Sequence, residues 1–439
     1  MVSRSLQLAR MAGLVLLAMM LWVAAVTATA LLTAEKISVA GTDSASLIDA
    51  AKTHSADHAG NLALILIDNG RVNGTHFMSI GRPVNADTIF QMASVSKWVT
   101  AWGVMTLVEA GKIDLDAPVS RYLRRWRLPP TSYDNDLVTV RRLLSHTAGL
   151  TDGLGYCGFA PGQPVQTLEA SLTKAADACP FTDGTVAVGT RPGGWQYSGG
   201  GYSLLQLMIE DVSGQSFADY MDAAVLKPLG MHRSTFRTGA EGATDVAEFF
   251  DIDGSPAQHF SYTASGAASL YSSASDLTRF VNAHRPDPNG SLAERRVLSP
   301  QSLEAMRAPQ AELLGRSHWG LGVRLYAPNG AGGHIIGHDG GNAPAVNNSV
   351  RLDPVSGNAI IALSTGGNSI ATQLASAWLR QRVAPADLPE EGLNPFAILA
   401  QLWGVRRWIL GGAILIVLGG VIWIWRSLSL RRKERVARN

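Results

Sequence analysis

Two long apolar runs lie near the ends of this 439-residue chain and constrain everything between them. The first extends from Met11 to about Leu32, and the second, from Trp408 to Trp425, contains no charged residue. A helix of that second length spans about 27 Å, close to the thickness of a bilayer's hydrocarbon core. The second run is therefore predicted to be a transmembrane helix. The first, within residues 1–33, is either a cleavable signal peptide or an uncleaved signal anchor.

Basic residues beside the two runs predict how the chain is oriented. Arg4 and Arg10 precede the first run, and Arg406 and Arg407 precede the second. A tail over residues 426–439 follows the second run, with one acidic residue and these basic ones: Arg426, Arg431, Arg432, Lys433, Arg435 and Arg438. Because basic flanks stay on the cytoplasmic side and the tail outweighs Arg406 and Arg407, the region between the runs is expected to face outward, on the periplasmic or outer side of the cell membrane.

The charge balance argues against one class of partner. The net charge of the chain is +2, but the basic residues just named, with Glu434, together carry +9, so residues 11–405 carry −7. An exported domain with this mildly acidic balance is not expected to bind nucleic acid. The basic tail beside the predicted span favours anionic membrane lipid as its partner instead.

The two cysteines, Cys157 and Cys179, both fall in the outward-facing region. An oxidising compartment favours a disulfide between them, with two separate buried thiols as the alternative. Two cysteines cannot hold zinc without histidine ligands, and the helically spaced pair His54 and His58 has no acidic partner of suitable geometry. We therefore interpret these histidines as surface residues and expect neither a metal nor another cofactor.

Strand-like segments near both ends of the outward-facing region predict one sheet built from distant parts of the chain. Asn61–Asp68 and Arg71–Gly81 flank Asn69-Gly70, which is typical of a β-hairpin. Four later runs between turn residues also have strand character: Leu321–Ala327, His334–His338, Val346–Leu352 and Ala359–Ser364. Helices are predicted after Ser94 and over these ranges: Tyr202–Val212, Ser216–Leu226, Asp276–His284 and Ile370–Arg382. A helical lobe beside the sheet, with a cleft between them, is the expected arrangement.

The segment Ser94-Val95-Ser96-Lys97 places a hydroxyl and an amine three residues apart at a predicted helix start. Residues i and i+3 share one helical face, so the amine of Lys97 can reach the hydroxyl of Ser94. A serine becomes a good nucleophile when a neighbouring base takes its proton, and a helix N-terminus favours a developing anion. Taken alone, these four residues also fit a capping serine and a surface lysine.

Two further segments hold candidate groups. Tyr197 lies where a glycine-proline loop enters a predicted helix, so its phenol is expected near the serine, with the charge of Lys97 lowering the phenol's pKa. The segment Gly337-His338-Asp339-Gly340-Gly341 ends a predicted strand, where glycines let a substrate carbonyl approach a backbone N–H. Taken alone, the first segment also fits a core tyrosine and the second a tight turn.

The order and spacing of these motifs resemble those of the penicillin-binding and class C β-lactamase-like serine hydrolases, in which S-x-x-K, Y-x-N and K/H-x-G follow one another. The resemblance extends over roughly residues 45–380 and includes the stretches 111–119, 143–150 and 266–277. It implies a β-lactamase/DD-peptidase-like α/β fold, with an antiparallel sheet built from both chain ends, flanking helices and a helical lobe. The hydrolase domain is then expected at 34–384, followed by a juxtamembrane linker at 385–407.

The resemblance also implies roles for individual residues. Ser94 matches the acylated nucleophile, and Lys97 matches the lysine that helps to deprotonate it. Tyr197 matches the tyrosine that acts as general base and then as acid to the leaving group. The backbone N–H groups of Ser94 and Gly341 match the oxyanion hole. His146 lies in a family loop that we interpret as structural.

Three substrate-binding positions carry the specificity, and two depart from the family pattern. Gly199 replaces the asparagine of Y-x-N, whose amide would hold a substrate acylamino group and the lysine. His338, in the motif that Gly340 completes, replaces a lysine that would face a substrate carboxylate. With histidine the attraction is expected to be weaker at neutral pH and pH-sensitive. Both changes favour an esterase or a D-amino-acid peptidase over an efficient β-lactamase.

The sequence therefore predicts a membrane-tethered, outward-facing serine hydrolase that cleaves a small-molecule or peptide-like ester or amide through an acyl-enzyme. A β-lactamase or D-alanyl-D-alanine carboxypeptidase is one alternative. A catalytically silent domain that senses peptidoglycan-like ligands is another, although such a domain has no need of the complete Ser, Lys and Tyr set. Neither the substrate nor the oligomeric state follows from the sequence.

Overall fold

The computed structural model describes residues 4–32, 36–152, 156–179, 182–237, 244–285, 297–342, 345–367, 369–388, 405 and 408–425. The chain divides into two compact units. One is Ile37–Glu391, and the other combines the two ends, Met1–Lys36 and Gly392–Asn439. The basic tail and most of the predicted linker lie outside the described residues.

An eight-stranded antiparallel sheet in the order β2-β1-β10-β9-β8-β7-β6-β5 lies at the centre of the larger unit. Two short strands, β3 and β4, pair separately. The strands are β1 Leu62–Asp68, β2 Arg71–Met78, β3 Ile89–Gln91, β4 Tyr271–Ser273, β5 Ala311–Leu313, β6 Arg316–Trp319, β7 Arg324–Pro328, β8 His334–Asn342, β9 Val346–Leu352 and β10 Ala359–Thr365. Because β1 pairs with β10, with Ile65 opposite Ile361, the predicted sheet from both chain ends is confirmed.

The β1–β2 hairpin forms where the sequence predicts it. Asn69 and Gly70 adopt φ values of 50° and 76°, the two positive angles that the tight two-residue hairpin turn requires. The predicted Leu321–Ala327 strand begins later, at Arg324, because Gly322 turns the chain with φ 79°. Strand β8 is longer than predicted and continues through the His338 motif to Asn342.

The helices of the larger unit flank this sheet and mostly follow the predicted pattern. They are α2 Ser44–Ser55, α3 Val95–Glu109, α4 Val140–Leu144, α5 Leu168–Thr173, α6 Gly199–Ser213, α7 Phe217–Met221, α8 Ser265–Ala268, α9 Ala274–Asn282, α10 Pro300–Arg307 and α11 Ile370–Arg380. The unit of the two chain ends contains α1 Arg4–Leu32 and α12 Trp408–Trp425. The predicted helix over 216–226 consists of α7 and a π-helical turn, Asp222–Leu226. Ser273 caps α9, since its side chain accepts from Asp276 N.

Each face of the sheet covers its own hydrophobic core. In β1, Ala63, Ile65 and Ile67 pack towards α3, α6 and α9. Leu62, Leu64 and Leu66 point the other way and pack against α2 and α11. Successive strand residues face opposite sides, so a strand covered on both faces is apolar throughout, as β1 is.

Two side-chain expectations are settled by the structure. Cys157 and Cys179 form a disulfide with a Cα–Cα distance of 4.9 Å, so the alternative of two separate thiols does not hold. The interpretation of His58 as a surface residue is wrong. Its ring is buried and donates from Nε2 to the carbonyl of Thr365 over 2.7 Å, which joins the end of α2 to the end of β10.

Candidate active site

Ser94 lies in the tight connection between β3 and α3, at the N-cap of α3, and is 7% exposed. Ala93, just before it, has φ 45°, a left-handed conformation that is rare for alanine. Ser96 holds this turn: its hydroxyl donates to Ala93 O over 2.5 Å and accepts from Leu270 N over 2.9 Å. The strained connection fixes the hydroxyl of Ser94 at a helix N-terminus, as strained turns at functional sites commonly do.

Lys97 lies one helical turn further on and is almost completely buried. Its Nζ donates to Ser94 Oγ over 3.2 Å and to Ala267 O, in α8, over 2.9 Å. Burial lowers the pKa of Lys97 to about 7, although the charge of Asp152 acts to raise it. A substantial fraction of this amine is therefore neutral near pH 7 and able to accept a proton from the serine.

Tyr197 completes the group of three predicted catalytic residues. Lys97 Nζ lies 5.0 Å from the centre of its ring, and the phenol makes a hydrogen bond with Ser94. The expectation that Lys97 lowers the pKa of this phenol is wrong. Burial raises the pKa of Tyr197, and the hydrogen bond with Ser94 only partly opposes that effect. The phenol is therefore a proton donor at neutral pH.

His146 supports Tyr197 from one side. The two rings stack with centroids 4.3 Å apart and planes 30° apart. Nδ1 of His146 accepts from Ser198 N over 3.1 Å, and its carbonyl accepts from Gln196 N over 2.7 Å. Burial lowers the pKa of His146 far below its ordinary range, which keeps the ring neutral and able to accept. The contacts agree with the structural interpretation of this loop.

His338 lies in β8, where its ring is buried and uncharged at neutral pH. Its Nδ1 donates to the carbonyl of Asp339 over 2.6 Å, and burial together with the charge of Lys97 lowers its pKa to about 3. The expectation that His338 attracts a substrate carboxylate in a way that titrates near neutral pH therefore does not hold. The ring is uncharged at neutral pH and gains a proton only near pH 3.

The glycines of the site allow close approach of backbone segments. A Cβ on Gly340 would lie 2.2 Å from Met92 O, so β8 packs directly against the turn that precedes Ser94. Gly341 follows it, opposite Asn347 of β9. Gly199 is the first residue of α6 and is buried, and it presents no side chain to a substrate.

An aromatic wall, consisting of Trp195, His318 and Trp319, connects Tyr197 to His338. The ring centroids of Trp195 and His318 are 4.5 Å apart, and those of Trp319 are 5.8 Å from Tyr197 and 5.4 Å from His338. The site thus joins a buried serine, amine and phenol to an apolar flank.

The β-lactamase family model matches residues 47–384, most of the chain. The chain belongs to the β-lactamase family. The members of this family are serine hydrolases and include esterases and peptidases, so the chain is a serine hydrolase. The match also confirms the family that the three motifs resemble.

Relatives with different names fall within this β-lactamase family. Esterase EstB of Burkholderia gladioli is 31% identical over 287 residues, which cover 57% of this chain and 70% of the esterase. Penicillin-binding protein 4 of Amycolatopsis lactamdurans is 28% identical over 76% of this chain and 88% of its own length. Among solved structures, the octameric penicillin-binding protein homologue from Pyrococcus abyssi has 26% identity and a TM-score of 0.61, and covers 79% of this chain and 78% of its own.

Two features of the site were not predicted from the sequence: the aromatic wall and Asp152. The buried Asp152 carboxylate accepts from Ser198 Oγ over 2.5 Å and from Gly200 N over 2.7 Å, beside Tyr197. A signal was present, since Asp152 closely follows the family stretch 143–150 and three consecutive glycines begin α6. The wall gave no local signal, because Trp195 and His318 are far apart in the sequence.

Proposed function

We propose that this protein is a membrane-tethered, outward-facing hydrolase that cleaves esters or amides through an acyl-enzyme on Ser94. The observation that carries the proposal is the buried hydrogen bond of 3.2 Å from Lys97 Nζ to Ser94 Oγ, with the pKa of Lys97 lowered to about 7. A base positioned within hydrogen-bond reach and titrating near the working pH is what general base catalysis requires.

Acylation begins when Ser94 Oγ attacks the substrate carbonyl carbon. The neutral amine of Lys97 takes the hydroxyl proton as the new C–O bond forms. Backbone N–H groups of Ser94 and Gly341 are the proposed donors to the oxyanion, with the N-terminus of α3 supporting the negative charge. The close packing of Gly340 on the turn before Ser94 supports this assignment, because it brings β8 to the serine.

Tyr197 transfers the proton that the leaving group needs. Because burial keeps the phenol protonated, Tyr197 donates to the departing alkoxide or amine and recovers a proton from the Lys97 ammonium. Water then attacks the acyl-enzyme, its proton returns through the same groups, and Ser94 is released as the free alcohol. Lys97 is thus the first proton acceptor, and Tyr197 is the donor.

The substrate-binding positions favour esters and uncharged amides. Gly199 offers no amide side chain, and His338, next to Gly340, carries no positive charge at neutral pH to hold a substrate carboxylate. The similarity to an esterase supports the same substrate class. Hydrolysis of a D-amino-acid peptide is the second candidate, supported by the similarity to penicillin-binding protein 4.

Contacts between the two terminal helices support tethering. Ala9–Thr29 in α1 and α12 are long and apolar enough to cross a bilayer. Trp22 Nε1 donates to Trp408 O over 3.2 Å. A Cβ on Gly412 would lie 2.1 Å from that same nitrogen, and one on Gly420 would lie 2.5 Å from Val15. Small residues let membrane helices approach closely, and this antiparallel register suits two spans whose outer ends lie on the same side.

These contacts favour an uncleaved anchor over a cleaved signal. Disulfide cross-linking of a Val15→Cys, Gly420→Cys variant in isolated membranes tests this, with the Val15→Cys, Gly412→Cys pair as the control two helical turns away. The proposal predicts cross-linking of the first pair alone. Purified membrane protein that lacks the first helix would contradict it. Anionic lipid remains the proposed partner of the basic tail.

Labelling by a fluorophosphonate tests the catalytic proposal. The wild-type protein should be labelled at Ser94, and Ser94→Ala should not be labelled. Ser120→Ala is the matched control, because it removes an exposed hydroxyl and leaves the turn that positions Ser94 intact. Retained labelling of Ser94→Ala at a single site contradicts the proposal. Comparison of p-nitrophenyl esters, D-amino-acid amides and a chromogenic cephalosporin then separates the substrate classes.

A further inference from the structure

We propose that Asp152 is a positioning residue of this active site: its carboxylate fixes the turn that carries Tyr197, and its negative charge acts on Lys97. The inference rests on the proposed function, because it gives Asp152 a part in the same acyl transfer. Asp152 lies outside the S-x-x-K, Y-x-N and K/H-x-G motifs of the family.

Asp152 holds the start of α6 through both of its oxygens. Oδ1 accepts from Ser198 Oγ over 2.5 Å, and Oδ2 accepts from Gly200 N over 2.7 Å. The same Ser198 hydroxyl accepts from Gly201 N over 2.8 Å, so one carboxylate organises Ser198, Gly200 and Gly201 at the start of α6. Tyr197 directly precedes them. The position of its phenol therefore depends on this carboxylate, which the N-terminus of α6 stabilises.

The opposite side of the same turn is held by His146. Nδ1 of His146 accepts from Ser198 N, while the imidazole stacks on the ring of Tyr197. The backbone of Ser198 is thus fixed by one residue and its side chain by another. Without Asp152, the stacking of His146 would remain but the start of α6 would be free to shift. A displacement of about 1 Å can cost a hundredfold in rate.

The run of glycines at the start of α6 agrees with this arrangement. A Cβ on Gly200 would lie 2.4 Å from Val186 Cγ2 and 2.9 Å from Asp152 Cγ, so a side chain there would displace the carboxylate. Gly199 removes the amide that the resemblance would place beside the lysine.

Asp152 differs in charge from the other titratable groups around Lys97. Burial raises the pKa of Asp152, but hydrogen bonds from Ser198 and Gly200 favour its ionised form, and this negative charge raises the pKa of Lys97. Burial keeps the other groups uncharged near neutral pH: His146, His338, Tyr197 and Tyr202. Removing the charge at 152 should therefore let Lys97 lose its proton at a lower pH.

The pH dependence of kcat/KM for a p-nitrophenyl ester in Asp152→Asn tests the charge. An asparagine keeps one acceptor oxygen and removes the charge, so the acid limb of the profile should move down by about one pH unit. Asp152→Ala removes both functions, and kcat should fall by about a hundredfold with little change in KM. An unmoved acid limb in Asp152→Asn together with an unchanged kcat in Asp152→Ala overturns the proposal.

Asp211→Asn is the matched control. Asp211, like Asp152, has a buried carboxylate. It lies within α6, near the end of the helix opposite to the one that Asp152 contacts, and accepts from Arg125 Nε over 2.7 Å. Its replacement should lower stability and leave the acid limb in place. If both variants move the limb equally, Asp152 has only a structural role. If wild-type protein is not labelled at Ser94 and turns over no ester, the proposed function fails instead.

Discussion

The two faces of strand β8 differ in how they use charge. On the face towards α3, His338 is uncharged and Gly340 contacts the turn before Ser94. On the opposite face, Asp339 lies between two arginines, 3.5 Å from Arg324 and 3.7 Å from Arg351, and accepts from Ser349 Oγ over 2.5 Å. Neighbouring residues of one strand thus have opposite electrostatic environments.

Because of this difference, the residues that stabilise strand β8 lie on one face, and those that line the reactive site lie on the other. Burial would raise the pKa of Asp339, but Arg351 and Arg324 lower it below its ordinary value, so the carboxylate is ionised and paired. Breaking such a buried pair leaves uncompensated charge and is strongly destabilising. On the reactive face, the neutral ring of His338 adds no positive charge beside Lys97 near pH 7. The comparison predicts that stability and activity respond to different substitutions.

Lys97→Met should have the largest effect on activity. Removing the general base should lower kcat by about 10²- to 10⁴-fold, because a positioned base contributes rate enhancement of this order. The free energy of unfolding should stay the same or increase, since a costly buried amine is removed. Steady-state ester hydrolysis and urea denaturation of the same preparation check both statements. A large loss of stability would contradict the separation of the two roles.

Asp339→Asn should show the opposite pattern. The free energy of unfolding should fall by about 3–5 kcal/mol, with kcat of the folded protein within about tenfold of wild type. The folded-state pKa of Asp339 is depressed, so its contribution to stability is present above about pH 4 and is lost as pH falls through that lower pKa. Denaturation at pH 7 measures the first effect, and denaturation at a series of pH values from 4 down to about 2 measures the second.

Asp116→Asn serves as the control for that variant. Asp116 forms an ion pair of 2.7 Å with Arg141, but its side chain is 67% exposed. Its loss should cost less than about 1 kcal/mol, because solvent screens exposed pairs. Equal destabilisation by the two variants would show that the buried pair of β8 has no special role.

Gly340→Ala tests the close packing on the reactive face. The added Cβ would lie 2.2 Å from Met92 O, so the turn before Ser94 must shift, and kcat/KM should fall by about a hundredfold. Gly333→Ala is the control just before β8, where the nearest atoms to a new Cβ are in the side chain of Asn329, at 3.4 Å or more. Equal kinetics for Gly340→Ala and the wild type would contradict the assigned geometry.

His338→Gln should have the smallest effect. Because the pKa of His338 is about 3, its ring is neutral near pH 7, and glutamine is neutral as well. The acid limb of kcat/KM should stay in place, and kcat/KM should change by less than about tenfold, or about 1.4 kcal/mol in barrier height. If the acid limb of the kcat/KM profile disappears in this variant, the group that titrates is His338 and not Lys97.

The same variant should reduce acid lability. A histidine whose folded-state pKa is depressed contributes stability that is present above its unfolded pKa of 6.5 and is lost as pH falls towards 3. The fall in Tm between pH 7 and pH 5 should therefore be smaller in His338→Gln than in wild type. An unchanged fall would mean that His338 is not neutral in the folded protein.

The sequence predicted those features that depend on local patterns. Asn69-Gly70 identified the hairpin because both residues tolerate positive φ, and Ser94 and Lys97 share a helical face in any helix. Asp152 and Trp195 were not predicted, because their contacts join segments far apart in the chain. The pKa of Tyr197 was predicted in the wrong direction, since burial depends on the whole fold and outweighs the nearest charge.

The rate at which Ser94 is acylated, measured as the burst of p-nitrophenol from an activated ester between pH 5 and pH 9, tests the central claim most directly. A neutral Lys97 acting as base predicts a rate that rises through a single titration near pH 7 and then levels off, and that loses this titration in Lys97→Met. A rate that increases steadily with hydroxide, or the same titration in Lys97→Met, would contradict the account.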